Sequence, residues 1–270
     1  FGLLHAGVNF VSQMSNVYAR SEHGRRAAQS FVLLASFLLT VLLAVLAFTP
    51  LGPTFLHAIY NTNAEMTGRV ISYLQLFVPL IVIDGMRQFR LGLLVQCKMT
   101  GRVTLLNVIQ LTTTIVCLLA GFNAQLPAPY VLVGSQFIAS SLHLILLSWI
   151  VRRDYRLPDK PEHEDLQYAE LLRFFLPVAT TGVMFAISRP VLYALIARTP
   201  DAIVSIAAMR VGFDVATLFQ VTANQFRHFF VTFGNTDLPE KRRFMLLIGI
   251  AITAVMLLIA APPISNFILS

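Results

Sequence analysis

Long apolar runs alternate along this chain with short polar or Pro/Gly-containing breaks, and within each run the apolar positions are nearly continuous. Eight such segments can be read, at 1–19, 29–51, 70–97, 103–122, 129–151, 171–197, 202–233 and 244–268. A hydrocarbon core about 30 Å thick needs about 20 apolar residues per helix, and nearly every run reaches that length. No water is available at that depth for backbone N–H and C=O groups, so a spanning segment is either a helix or a strand of a closed barrel. Barrel strands alternate lipid-facing and lumen-facing residues. These runs do not, and the pattern predicts an all-α, polytopic membrane protein.

Composition agrees. Hydrophobic residues make up 56% of the chain and charged residues 12%, against about 25% charged in a soluble domain, and the mean hydropathy is +0.72. The two cysteines, Cys97 and Cys117, fall at the end of one apolar run and inside the next. They read as small packing hydrophobes rather than a disulfide framework. The chain opens inside an apolar run, FGLLHAGVNF, with no basic stretch before it. That is not the form of a signal peptide, and the expectation is a chain that begins mid-protein.

The connectors differ sharply in basic content. One alternate set holds Arg20, Arg25 and Arg26, then Lys98 and Arg102, then Arg152, Arg153, Arg156, Lys160 and Arg173, and finally Lys241, Arg242 and Arg243, thirteen of the twenty Lys and Arg residues. The other set holds only Arg69 and Arg198. The positive-inside rule puts the first set in the cytoplasm, for a multi-pass protein expected in the inner (cytoplasmic) membrane. The pI near 9.8 is then largely an orientation signal, and no nucleic-acid motif accompanies it. The densely charged stretch 152–170 reads as a cytoplasmic linker between an N-terminal bundle, 1–151, and a C-terminal one, 171–270.

The remaining five basic residues, Arg87, Arg90, Arg189, Arg210 and Arg227, lie inside spans together with Asp84 and Asp214. Charge at that depth is costly and faces protein, water or a solute pathway. Asp84 and Arg87 are three apart and Arg210 and Asp214 four apart, so each pair is either a structural ion pair on one helix face or part of a solute site. Arg90 and Arg189 have no partner at helical spacing, and need a carboxylate from another helix, water or a substrate. The guanidinium fork suits carboxylate and phosphate groups, and the surplus of cations favours an anion. Arg227, near a span end, reads as a snorkelling residue.

Pro79 and Pro177 lie early in their spans, where a proline bends a helix and frees a carbonyl. Gln110, Thr112, Thr113, Thr114, Asn224 and Gln225 either line a cavity or join helices by hydrogen bonds. His5, His23, His57, His143, His163 and His228 show no metal-ligand spacing, no nucleophile motif or phosphate-binding glycine loop occurs, and no cofactor or enzymatic activity is expected. His143, in an apolar span, reads as a packing histidine.

Two stretches resemble a known family. LLRFFLPVATTGVMFAISRPVLYALIAR (171–198), with Phe174-x-x-Pro177 and Ile187-Ser188-Arg189-Pro190, resembles the seventh helix of the progressive ankylosis (ANK) family of transporters. VPLIVIDGMRQFRLGLLVQCK (78–98), with Asp84-Gly85-Met86, Gly92, Leu93, Leu94 and Lys98, is similar to its fourth. The resemblance implies a MATE-like fold of the multidrug/oligosaccharidyl-lipid/polysaccharide exporter superfamily, with twelve helices in two six-helix bundles around a cleft. Eight of the twelve would be present here, without the first and the last three. It also implies export of small anions, with the family's anion path falling on Asp84 and Arg189.

The expectation is therefore a secondary transporter of a small phosphorylated or carboxylate anion, working by alternating access. Its substrate-binding set is Arg189, Arg90, Arg87, Asp84, Arg210 and Asp214, and its partners are membrane lipids and a coupling proton or sodium ion. Two rival expectations are a lipid-linked flippase of the same superfamily and a non-transporting accessory subunit of a larger membrane complex.

Overall fold

The computed structural model describes residues 11–60, 63–157, 167–224 and 238–260. Among these the chain forms α-helices and no strand. In order they are α1 (Val11–Tyr18), α2 (Glu22–Phe48), α3 (Leu51–Tyr60), α4 (Ala64–Phe77), α5 (Leu80–Gln96), α6 (Thr100–Asn123), α7 (Ala128–Asp154), α8 (Tyr168–Ile196), α9 (Ala202–Asn224) and α10 (Leu238–Ala260). Five of them, α2, α6, α7, α8 and α10, are long and apolar enough to cross a membrane, and α4 with α5 makes a sixth if the bent pair counts as one span. This is an α-helical, membrane-embedded protein. Parts of the expected segments 1–19, 202–233 and 244–268, and of the linker 152–170, lie outside the described residues.

Three boundaries differ from the hydropathy reading, each for a local reason. α2 begins seven residues early because Ser21 caps it, its hydroxyl accepting from Gly24 N at 2.9 Å, and Glu22 follows at the positive end of the helix dipole. The connector 52–69 is not a loop but α3 and the start of α4, the latter capped by Asn63, whose Oδ1 accepts from Met66 N at 2.8 Å. The run 70–97 is broken in two at Val78 and Pro79, with the halves bent by 43°. Pro79 has no N–H to carry α4 onward, so the ladder closes on Val78 N, which reaches Gln75 O at 3.4 Å. Pro177 and Pro190, by contrast, lie inside one helix, α8.

The contacts divide the chain into two compact units, Phe1–Ala194 and Leu195–Ser270. In the first, α5 packs against α1, α2, α6 and α7, and its Leu80, Ile81, Phe89, Leu93 and Leu94 are buried. Two glycines seven residues apart let its neighbours approach. A Cβ on Gly85 would lie 2.0 Å from Ser36 Oγ of α2, and one on Gly92 would lie 2.3 Å from the Ser12 carbonyl oxygen of α1. Between membrane helices, small residues at the seam permit the close backbone packing that lipid tails cannot drive. The start of α8 joins this unit through edge-on ring contacts, Tyr18 with Phe174 at 5.3 Å and Phe31 with Phe175 at 5.5 Å. The large apolar side chains pointing outward, such as Leu34, Phe37 and Leu38 on α2 and Leu105, Leu111 and Leu119 on α6, form the faces that lipid covers. In the second unit α9 packs against α10.

At one end of the first unit the basic connectors meet. Arg102, opening α6, pairs with Asp154, closing α7, and Cys97 Sγ lies 3.6 Å from Arg156 O. The Tyr155 hydroxyl donates to Ala19 O at 2.8 Å, so the ends of α1, α5 and α7 are tied together on the side that carries the basic residues. Burial pushes that hydroxyl up to about 12, and it stays a donor at physiological pH. Gln96 Oε1 lies 3.3 Å from the same oxygen while its Nε2 is buried without a partner among the described residues. A phenol has one proton, so exchanging the amide's O and N turns this contact into a donation from Gln96 and satisfies the orphan. Tyr155→Phe strands the buried Ala19 carbonyl and is expected to cost about 1–3 kcal/mol, read as a lower unfolding temperature in detergent micelles. An unchanged temperature would mean the carbonyl has another donor.

Candidate functional site

Half of the expected site residues sit on α5. The break at Pro79 starts a new helix whose second turn presents Asp84, and one turn later Arg87 faces α6 and α7. Asp84 is 1% exposed, and Arg87 Nη2 stands 3.1 Å from its Oδ1. That approach is electrostatic and lacks the alignment of a hydrogen bond. The other arm of the guanidinium, Nη1, donates to Gln110 Oε1 on α6 at 2.7 Å. Gln110 Oε1 also lies 2.6 Å from Nδ1 of His143 on α7, so four side chains from three helices form one chain of contacts.

The protons in this network can be assigned from its chemistry. Arginine has only donors, so the glutamine atom that meets Nη1 is the oxygen. An oxygen accepts, so His143 Nδ1 carries the proton and donates to it. His143 is 1% exposed, and its Nε2 is buried with no hydrogen-bond partner among the described residues. In this tautomer Nε2 is a buried lone pair, an acceptor without a donor. The reading of His143 as a packing histidine is corrected on this point: one ring nitrogen is satisfied and the other is not.

Arg90 lies one turn further along α5, toward the basic end. Its Nε is buried without a hydrogen-bond partner among the described residues, and no carboxylate there pairs with it. Arg152, in the last turn of α7, is close enough for the two charges to repel. Counting Asp84, Arg87 and Arg90, the buried cluster carries one positive charge in excess.

The other expected residues do not join this cluster among the described side chains. Arg210 and Asp214 are both exposed on α9 in the second unit, and their four-residue spacing closes no ion pair among the described residues. Arg189 lies on α8, and its side chain is outside the described residues, as are Gln225, Arg227 and the side chain of Asn224. Of the threonine set, Thr113 and Thr114 donate to carbonyls of their own helix, Ile109 O at 2.8 Å and Gln110 O at 2.9 Å. Only Gln110 contributes to the site.

Burial in the folded bundle, not hydropathy, marks the face of α7 on which His143 lies. Ser135, Ala139, His143 and Leu147, each four residues apart, are all buried and mark one face of α7 at helical spacing. A polar residue on that inward face has to find a partner across the bundle. Compared with models of protein families, with curated proteins and with solved structures, the chain finds no match.

Proposed function

We propose that this chain forms part of a secondary transporter that moves a small anionic solute, phosphorylated or carboxylate, across the inner membrane by alternating access. The fold that suits this reading is the two-bundle arrangement of eight of twelve helices implied by the resemblance to the ANK family. The observation that carries it is Arg90, a guanidinium inside a membrane bundle with a buried donor that no described side chain satisfies. Arg152 nearby adds to its charge rather than cancelling it. Two guanidinium groups that repel each other are held at lower cost when an anion lies between them, and their planar forks fit carboxylate or phosphate oxygens. Arg87 also keeps its Nε without a hydrogen bond among the described residues, but Asp84 and Gln110 already engage its two terminal nitrogens, so Arg90 is the freer of the two forks.

Uptake of radiolabelled pyrophosphate and citrate into proteoliposomes tests this. Losing a charge-assisted contact worth about 1.5–3 kcal/mol lowers uptake about tenfold to hundredfold in Arg90→Ala, with Arg90→Lys in between because it keeps charge but not the fork. Uptake in Arg90→Ala equal to wild type removes the arginine from the pathway. Uptake of neither anion by the wild type removes the reading for those two classes.

A further inference from the structure

The transport reading makes no use of the open nitrogen of His143. We propose that His143 Nε2 is a proton-binding site and that Asp84 is its counterion: when the ring takes up a proton, the carboxylate turns from Arg87 to the imidazolium. Four observations meet here. The tautomer fixed by Gln110 leaves Nε2 as a lone pair. That atom is buried and without a donor among the described residues, and a proton is the one ligand that needs no added volume to reach it. Asp84 and Arg87 of α5 are the charged groups whose fields act on the ring, Gln110 of α6 is neutral, and Ser135 and Ser140 are the buried polar residues of α7 itself. Finally, the Arg87 contact with Asp84 Oδ1 lacks hydrogen-bond alignment, so a well-aligned N–H from the imidazolium competes with it on favourable terms.

The charge balance gives the step a consequence. In the resting arrangement Asp84 compensates Arg87. With the proton bound, Asp84 compensates His143, and Arg87 is left as an uncompensated cation one turn from Arg90. A buried cation that loses its partner is strongly destabilised, and a monovalent anion restores the balance, since the proton adds one positive charge and the solute one negative. On the transport reading, where this role in coupling rests, proton and anion bind together and the site's net charge is unchanged.

The test reads protonation directly. Protein labelled with 15N-histidine and 13C-aspartate, in lipid nanodiscs, is titrated by NMR, with the His143 resonance identified by its loss in both His143→Gln and His143→Asn. At neutral pH the ring is expected as the Nδ1–H tautomer, with Nε2 unprotonated. On acidification Nε2 gains its proton while the fold remains intact, and the Asp84 carboxyl carbon, identified by its loss in Asp84→Asn, shifts over the same pH range. A ring that stays neutral until helicity is lost overturns the proposal, and so does a ring that charges while the Asp84 signal stays fixed. Neither readout requires transport, so a wild-type protein that carries no anion counts against the transport reading alone.

Discussion

Gly92→Ala lowers the unfolding temperature of the protein, whereas Gly134→Ala leaves it unchanged or raises it. Alanine is favoured over glycine inside a helix by about 1 kcal/mol, so both substitutions gain in propensity. At Gly134 the added methyl meets nothing within 4 Å, and the gain is kept. At Gly92 it would sit 1.8 Å from Ser15 Oγ and 2.3 Å from the Ser12 carbonyl oxygen. The hydroxyl can rotate away, but the carbonyl belongs to the backbone of α1, and relief requires the whole helix to move. Overpacking of this kind typically costs about 1–3 kcal/mol, and a displaced α1 also loses the burial of Met14 and the Tyr155 to Ala19 bond. Thermal unfolding followed by size-exclusion chromatography separates the outcomes. Equal stability of the two variants would mean that α1 and α5 are not packed through Gly92.

Arg87→Met is the second large effect. The substitution keeps the aliphatic volume and removes the charge, leaving Asp84 at 1% exposure beside an apolar side chain and Gln110 Oε1 without its arginine donor. Removing one member of a buried pair costs about 3–5 kcal/mol, because the survivor's desolvation is no longer offset. Adding Asp84→Leu removes the buried carboxylate as well, and apolar replacement of a whole buried pair is often neutral or stabilising. The double variant is therefore expected to regain most of the stability that Arg87→Met loses, even though it carries one more substitution. A double-mutant cycle on unfolding free energies checks this. Additive losses would mean that the two residues do not share the network. The recovered double variant should also have lost the acid response of His143, since its counterion is gone.

The i,i+3 relation of Asp84 to Arg87 was legible in the sequence, because helical spacing alone puts the two side chains on neighbouring positions of one face. The matching relation between Arg210 and Asp214 was equally legible, yet both are exposed and no ion pair closes among the described residues. Spacing makes a pair available without closing it: Glu65 and Arg69, also four apart and exposed, pair at 2.7 Å with the acid first, whereas in Arg210 and Asp214 the base comes first, the less favourable order on a helix. Gln110 and His143 could be singled out as polar residues in apolar spans but not joined to Arg87. They lie 23 and 33 residues from their partners, and nothing in their own segments states how α6 and α7 are rotated about their axes. A helix that is apolar nearly all round offers no stripe from which to read that rotation.

What the sequence by itself determined is the solvent of this protein and the helical form of its spans. The length and continuity of the apolar runs require membrane helices, because no other open structure satisfies its backbone in hydrocarbon. Local chemistry flagged Pro79 and Pro177 alike, and only the packed structure separates the helix that breaks, at Pro79, from the one that continues, through Pro177. The tertiary structure decided what the buried charges do. It made α5 the central helix through the close approaches at Gly85 and Gly92, tied Arg87 to Gln110 and His143, and left Arg90 Nε and His143 Nε2 without hydrogen-bond partners among the described residues. Those outcomes depend on which face each helix turns toward its neighbours, and that is fixed by side-chain fit across the bundle, which no single segment encodes.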